Sequence, residues 1–212
     1  YTLTNGAVTP LIGATLHDLG YDEIYSLTPR TTIRRPPSWR DALELTRDNL
    51  IVKQPVHFDV GGLGKGYAID IISELLLEHH MTSWCVEAGG DMRYAAPSPT
   101  PLRVGLEHPL DTTQAIGIAE IPSGYSICGS AGNRRAWNTY HHIVNPITLT
   151  SPHHILAIWV VAHTTLLADA LTSALFFTPA DQLRTHFDFE YVLLFADYSL
   201  EKSPHFPGEL FT

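Results

Sequence analysis

Apolar residues at helical spacing predict two amphipathic helices, over residues 67–79 and 164–177. In the first helix we expect one buried face, made of Ala68, Ile71, Ile72, Leu75 and Leu76. In the second helix the apolar stripe is made of Leu167, Ala168, Leu171, Ala174 and Leu175. Shorter helical patterns are predicted before residue 20 and over residues 39–48.

Short runs of apolar or alternating residues predict the strands. These runs cover residues 56–60, 84–87, 102–106, 114–121, 125–128, 140–144, 155–161 and 191–195. Strands and helices do not alternate regularly along the chain. The pattern therefore favours an α+β fold, with mixed or antiparallel sheets and packed helices, over a doubly wound sheet.

Composition and charge exclude some classes of function. The 212 residues are 44% hydrophobic and 17% charged, which is typical of a globular protein with a sizeable core. The formal net charge of −9 argues against nucleic-acid binding, because that task needs a basic surface. No apolar run approaches the length of a membrane span, and no signal peptide is found.

One segment is rich in arginine. Residues 29–40 hold four of the thirteen cationic side chains, namely Arg30, Arg34, Arg35 and Arg40. The segment also contains three prolines, so we expect a loop. Two interpretations stay open: a solvated linker, or a basic edge beside an anionic ligand.

A glycine-rich segment follows the strand predicted at residues 56–60. Residues 59–68 have the sequence DVGGLGKGYA, with four glycines in six positions before a helix. Glycine lets a ligand approach the backbone, and a helix N-terminus with Lys65 beside it favours a phosphate. The spacing matches neither a Walker A loop nor the dinucleotide-binding GxGxxG pattern. A ligand-binding loop and a tight structural turn are both compatible with it.

The second predicted helix carries a carboxylate among apolar residues. Asp169 lies in the segment ADALTSA and is one helical turn from Ser173. An apolar surrounding makes such a carboxylate costly unless it is paired or coordinated, and oxygen ligands suit Mg²⁺. The alternative is that Asp169 only caps the helix.

Three other features are weaker. Residues 87–91 (EAGGD) and 142–148 (HIVNPIT) each predict only a turn when taken alone. The chain has twelve histidines, several in adjacent pairs, and no HExxH pattern. Adjacent residues of a strand point to opposite faces, so these pairs do not indicate a histidine metal site.

Taken in order, the segments resemble the successive motifs of the FAD:protein FMN transferases, the ApbE family. Residues 59–70 resemble that family's D-x-G-G-x-[AG]-K-G-Y-A-x-D, and residues 168–175 resemble its A-D-A-L-[AS]-T-A-L. The segments GAVTP at 6–10, GGD at 89–91 and HIVNPIT at 142–148 add support. The resemblance extends from about residue 4 to about residue 177.

The resemblance implies a single FAD-binding domain over residues 1–212, with an α+β architecture related to the T-fold. It implies Mg²⁺-dependent transfer of FMN from FAD to a Ser or Thr hydroxyl of a target flavoprotein, with release of AMP. The FAD contacts it implies are Ala7, Val8, Thr9, Asp59, Lys65 and the backbone of Val144. The metal positions it implies are Gly62, Asp169, Thr172 and Ser173. Asp169 and Lys65 are the residues expected to act in catalysis.

The chain departs from the family pattern at several positions. The departures are Asn145 for the usual Asp, Leu149 for Gly, Ser173 for Thr, and CGS at 128–130 for TSG. Family members usually have a further segment before the GAVTP motif, which this sequence lacks. Its loss would expose part of the flavin site and open strand edges, and those edges predict a homodimer.

Two other functions stay open beside the transferase. One is an FAD-binding relative without transferase activity, and the other is a Mg²⁺-dependent FAD pyrophosphatase that uses water as the acceptor. The expected partners are FAD and a protein that carries the acceptor hydroxyl. Members of the family act on both sides of the cytoplasmic membrane, so the compartment stays open.

Overall fold

Two compact units make up the computed structural model, which describes residues 1–211. The first unit comprises Tyr1–Val60 and Arg134–Pro152. The second comprises Gly61–Asn133 and the chain from His153 onwards. Each unit has its own buried clusters, so the two are described in turn.

Among the described residues the chain forms five α-helices and thirteen strands. The helices are α1 (Gly13–Asp18), α2 (Trp39–Ala42), α3 (Gly64–Glu78), α4 (Thr165–Ala174) and α5 (Ala180–Arg184). The strands are β1 (Leu43–Leu45), β2 (Leu50–Val52), β3 (Trp84–Ala88), β4 (Asp91–Ala95), β5 (Leu102–His108), β6 (Asp111–Ile121), β7 (Ser126–Ala131), β8 (Ala136–Trp137), β9 (Tyr140–His141), β10 (Ile155–Ala162), β11 (Glu190–Phe195), β12 (Leu200–Lys202) and β13 (Gly208–Leu210). No described helix has the length and apolar character needed to cross a membrane.

The second unit is built on a six-stranded antiparallel sheet in the order β12-β11-β10-β7-β4-β3. A three-stranded antiparallel sheet, β13-β6-β5, packs against it. Alternate residues of β10 and β11 enter the shared core. Members of this core include Leu106, Ile121, Ile127, Trp159, Val161, Val192 and Phe206. Helices α3 and α4 pack together and contact strands of the large sheet.

The first unit holds two smaller clusters. In one, Leu16 and Leu19 of the α1 region pack with Trp137 and Val144. The Trp137 Nε1–H donates a hydrogen bond of 2.9 Å to the Leu19 carbonyl, so the indole is both buried and satisfied. The other cluster joins Leu11, Ala42 and Leu43. Two short antiparallel pairs, β1-β2 and β8-β9, complete the unit.

The predicted fold class is confirmed, since helices and antiparallel sheets are mixed along the chain. The strand predicted over residues 140–144 ends at His141. Two other local predictions are wrong. Residues 56–60 form no strand, because their backbone groups bind elsewhere: the His57 carbonyl accepts from Gly13 N–H and the Asp59 N–H donates to Pro10. The helix predicted over residues 39–48 ends at Ala42, where the chain turns into the β1-β2 pair.

The buried face of α3 is also different from the prediction. The helix buries Gly66, Ile69, Asp70 and Ser73. The side chains expected in the core lie largely in solvent, with Ile71 41% and Leu75 50% exposed. Apart from Ile69, the residues that face inward are small or polar, because α3 approaches α4 closely and bonds to it. Periodicity identified the helix but assigned its apolar stripe to the wrong side.

The arginine-rich loop is anchored to α1 through a buried carboxylate. Asp18 accepts hydrogen bonds from Arg34 Nε at 2.6 Å, from Arg34 Nη2 at 2.7 Å and from the Arg34 backbone N–H at 3.0 Å. Arg30 lies 3.5 Å from the same carboxylate. The hydrogen bonds from Arg34 lower the pKa of Asp18 to about 2, against the opposing effect of its burial. Arg30 and Arg34 are more than half exposed, as the interpretation of a solvated linker predicts, and both also interact with Asp18.

We expect this pair to stabilise the first unit above about pH 4 and to lose that effect as the pH falls towards 2. A carboxyl group with a lowered folded pKa takes up its proton first in the unfolded chain, so acid favours unfolding. Asp18→Asn should cost about 2 kcal/mol at pH 7 and flatten the decline between pH 4 and pH 2. Thermal unfolding at stepped pH, with exposed Asp48→Asn as the control, measures both effects. A pH profile of Asp18→Asn parallel to that of the unchanged chain would contradict the assignment.

Candidate functional site

The candidate site forms where α3 and α4 cross in the second unit. A Cβ atom added to Gly66 would lie 2.4 Å from the Thr165 carbonyl oxygen and 2.8 Å from the Asp169 Cβ. No side chain fits there, so glycine is what allows the two helices to approach. The Gly66 N–H donates a hydrogen bond of 3.0 Å to Asp169 Oδ2. The crossing therefore joins the N-terminus of α3 to the Asp169 carboxylate of α4.

Alternate residues of β7 face α4 with polar groups. The Ser126 hydroxyl lies 2.9 Å from Thr165 Oγ1, and the Ser130 hydroxyl lies 2.8 Å from Thr172 Oγ1. Between them the Cys128 thiol donates to the Thr165 carbonyl at 3.6 Å. Burial, reinforced by nearby Asp91 and Asp169, raises the pKa of the Cys128 thiol well above its usual range. This polar stripe fixes the rotation of α4 on the sheet.

Asp169 lies buried at this crossing, with only 3% of its surface exposed. Burial raises its pKa to about 6, and the negative charge of Asp91 adds to the shift. The Gly66 N–H and the Lys65 charge act in the opposite direction. A buried carboxylate that lacks a full set of donors favours a cation beside it.

Lys65 pairs with a residue that was not among the predicted site residues. Its ammonium Nζ lies 2.5 Å from Oδ2 of Asp91, which is 1% exposed. Asp91 Oδ1 also accepts the Gly129 N–H at 3.3 Å. Burial raises the pKa of Asp91, and Lys65 opposes that shift. The GGD segment that ends at Asp91 could be found in the sequence. Its pairing with Lys65 could not, because the two residues are distant in the chain.

The remaining predicted metal residues lie beside Asp169. A Cβ on Gly62 would lie 2.9 Å from the Ser173 hydroxyl, so the Gly62 backbone is packed against Ser173. The Thr172 hydroxyl donates to the Asp169 carbonyl at 2.7 Å. Within residues 1–211 no group of three or more His, Cys, Asp and Glu side chains is arranged to hold a metal ion. Carboxylate, hydroxyl and carbonyl oxygens without histidine or thiolate are nevertheless the donors that a hard cation takes.

The predicted FAD contacts other than Lys65 lie in the first unit. The Asp59 N–H donates to the Pro10 carbonyl at 2.8 Å, which places Asp59 beside the segment of Ala7, Val8 and Thr9. That segment is held locally, since the Val8 N–H donates to Thr4 Oγ1 at 3.1 Å and the Thr9 hydroxyl accepts from Leu11 N–H at 3.2 Å. Val144 is buried in the Trp137 cluster.

Two departures from the family pattern shape the turn after Val144. The Asn145 side-chain oxygen accepts the Ile147 and Thr148 N–H groups, at 2.8 and 3.2 Å, and so closes the turn. Leu149 has φ +61°, in the left-handed region that favours glycine. A leucine at this position strains the turn without unfolding it.

The chain is similar to known proteins in sequence and in fold. The model of the ApbE family matches residues 1–191. The FAD:protein FMN transferase of Treponema pallidum is 26% identical over 206 residues, covering 82% of this chain and 55% of that protein. The enzyme of the same name from Haemophilus influenzae is 27% identical over 135 residues, covering 60% of this chain and 39% of that protein. The chain thus spans about half the length of the curated relatives it matches.

Solved structures share the fold. The crystal structure of the ApbE protein from Thermotoga maritima superposes with a TM-score of 0.81 at 24% identity, covering 96% of this chain and 72% of that one. The flavin transferase ApbE from Vibrio cholerae gives a TM-score of 0.72 at 19% identity, covering 95% and 70%. The mixed architecture of antiparallel sheets and helices is therefore the one seen in those proteins.

Gly66→Ala should lower the free energy of unfolding by about 2 kcal/mol, because the methyl group would force α3 away from α4. At an exposed helical position the same substitution would raise the free energy of unfolding. The sign of the change therefore shows whether Gly66 is packed against α4 or exposed. Thermal unfolding measures the effect. Gly105→Ala is the control, since its Cβ would meet only Ala115 at an ordinary 3.8 Å. A Gly66→Ala chain as stable as the parent would show that the crossing is looser than described.

Proposed function

The chain belongs to the ApbE family, and we propose that it is an FAD:protein FMN transferase that moves FMN from FAD to a Ser or Thr hydroxyl of a target protein. The observation that carries the proposal is the crossing of α3 and α4, where Asp169, Lys65 and the Gly62–Ser173 contact meet. The names of the relatives supply the flavin and the protein acceptor.

The pyrophosphate of FAD is the part of the substrate that this crossing suits. The N-terminus of α3 is the positive end of the helix dipole and lies beside Lys65, whose side chain is 41% exposed. Lys65 bonds to buried Asp91, which fixes the position of its charge. The backbone N–H groups at the start of α3 and the Lys65 ammonium would bind the pyrophosphate, and the proposed cation would offset the charge of Asp91 and Asp169. We include the Ala7, Val8, Thr9, Asp59 and Val144 contacts to FAD in the proposal.

The metal part of the proposal is that Mg²⁺ binds at Asp169, with the Gly62 carbonyl and the Thr172 and Ser173 oxygens around it. The donor set fits, because Mg²⁺ is usually held by one or two carboxylates and by substrate phosphates. When bound, the ion would neutralise charge on the pyrophosphate and on the departing AMP. Residues of the chain position the reactants and exclude water from the buried carboxylates.

The proposed reaction exchanges one phosphorus–oxygen bond for another. The acceptor hydroxyl oxygen bonds to the phosphorus of the FMN half and gives up its proton, while the bond from that phosphorus to the bridging oxygen breaks. AMP leaves with the bridging oxygen. Water in place of the protein hydroxyl would give free FMN and AMP, which is the pyrophosphatase alternative. An FAD-binding relative would leave FAD intact.

Asp169→Ala should reduce AMP release from FAD by at least about 100-fold, because the substitution removes the carboxylate proposed to hold the cation. The assay is chromatography of FAD incubated with the protein and an acceptor peptide, in Mg²⁺ and in EDTA. Asp181→Ala, an exposed carboxylate on α5, is the control and should keep the parent rate. Equal turnover by Asp169→Ala would refute the metal assignment.

The products of the parent chain decide between the three functions. A peptide that gains the mass of FMN, with AMP formed only in Mg²⁺, supports the transferase. Free FMN with AMP and an unmodified peptide identifies a pyrophosphatase. FAD that binds and stays intact identifies a flavin-binding relative, and FAD that does not bind at all rejects the flavin assignment.

We also propose that two copies of the chain pair through β3 and α3. Within the described residues β3 pairs with β4 alone, and α3 beside it exposes Ile71 and Leu75. Open strand edges and adjoining apolar surface favour association. Light scattering at about 10 μM should give twice the chain mass for the parent and for Leu45→Glu, an exposed position elsewhere. Leu75→Glu should give a monomer, and a monomeric parent would contradict the pairing.

A further inference from the structure

We propose that Asp70 is a positioning residue: it fixes the N-terminus of α4 on α3 and thereby sets where the Asp169 carboxylate lies. The effect on Mg²⁺ rests on the function proposed above, whereas the effect on structure does not. Asp70 belongs to α3 and is 8% exposed. It lies five residues after Lys65 in the same helix, which is about one and a half turns.

Asp70 bonds to the first turn of α4 with both carboxylate oxygens. Oδ1 accepts the Thr165 N–H at 2.9 Å, and Oδ2 accepts the Leu166 N–H at 2.8 Å. Arg93 Nη1 donates to Oδ1 at 2.9 Å and balances the buried charge. A carboxylate at a helix N-terminus also interacts favourably with the helix dipole. The contact is therefore a strong one, made across distant parts of the sequence.

The contact completes the capping of α4. The Leu167 N–H donates to the Thr164 hydroxyl at 3.3 Å, and the Ala168 N–H donates to the Thr164 carbonyl at 3.1 Å. The last of these is the first hydrogen bond of the helix itself, whereas the N–H groups of Thr165, Leu166 and Leu167 have no acceptor within α4. The Thr164 hydroxyl serves one of these three groups and Asp70 serves the other two, so two of the three acceptors would be lost without Asp70. Asp169 lies directly after that turn.

Each of the two helices carries a carboxylate that binds the first turn of the other helix. Asp70 of α3 accepts from the first turn of α4, and Asp169 of α4 accepts from Gly66 in the first turn of α3. Two links fix the position of one helix along the other, where a single link would leave it free to slide or rotate. A substitution of Asp70 should therefore weaken the Gly66–Asp169 hydrogen bond.

A small shift at Asp169 would matter for Mg²⁺. The ion requires near-ideal octahedral geometry at short distances, so a displaced carboxylate lowers its affinity. Residues that orient metal ligands typically change affinity or activity 10- to 100-fold when removed. A residue that only stabilises the fold would lower the melting temperature and leave the Mg²⁺ requirement unchanged.

The test compares Asp70→Asn with Ser73→Ala in the full chain. Asparagine keeps the shape of Asp70 but removes the charge and one acceptor oxygen. Ser73 is buried on the same face of α3, and its hydroxyl donates to the Ile69 carbonyl of its own helix at 2.7 Å. Amide hydrogen exchange at Gly66 reports the Gly66–Asp169 link without any ligand. The Mg²⁺ concentration that gives half the maximal rate of AMP release reports the proposed metal site.

We expect Asp70→Asn to speed Gly66 exchange about tenfold over Ser73→Ala at matched stability, and to raise the half-saturating Mg²⁺ concentration about tenfold. Unchanged Gly66 exchange in Asp70→Asn would overturn the inference. Faster exchange with an unchanged Mg²⁺ requirement in an active parent would also overturn it. If the parent releases no AMP, the proposed transferase and pyrophosphatase fail, and Gly66 exchange alone then decides the role of Asp70.

Discussion

The close approach of α3 and α4 at Gly66 is the constraint on which the second unit depends. The backbones meet where a Cβ atom would lie 2.4 Å from a carbonyl oxygen, so any larger residue would separate the helices. This approach brings Asp169 within hydrogen-bond reach of the Gly66 N–H and Asp70 within reach of the α4 N-terminus. The positions of the ionisable groups therefore follow from a packing requirement, and the packing is in turn held by their hydrogen bonds.

The same arrangement concentrates charge in a buried place. Asp91 and Asp169 both lie out of solvent, and burial raises the pKa of each. Lys65 is the cation that contacts Asp91, and its side chain is partly exposed. Buried carboxylates are costly without such compensation, and a cation at Asp169, as proposed above, would supply it. Because Lys65 is already paired with Asp91, anion binding by a chain with a net charge of −9 would depend on the proposed cation.

Much of the second unit could be predicted from the sequence, because its core strands and α4 have clear periodicity. The strands near residues 155–161 and 191–195 and the helix near 164–177 are present at almost the predicted places. The motifs also predicted Lys65 and Asp169 as site residues, and both lie at the crossing of α3 and α4. The Lys65–Asp91 pair and the helix contacts of Asp70 were not predicted, since they join residues that are distant in the chain. The strand prediction at residues 56–60 was wrong because hydrogen bonds to distant residues outweighed the local preference for a strand.

The wrong assignment of the α3 face follows from the same constraint. When the backbones of two helices come into van der Waals contact, the residues between them have to be small. In α3 these residues are Gly66 and Ser73. Asp70 occupies the same face because it caps α4. Ile69 is the one large apolar side chain of α3 that is fully buried on that side, and Ile71 and Leu75 are left on the outside. Hydrophobic periodicity locates the apolar stripe of a helix. Which side of the helix is buried depends instead on which face allows the second helix to approach.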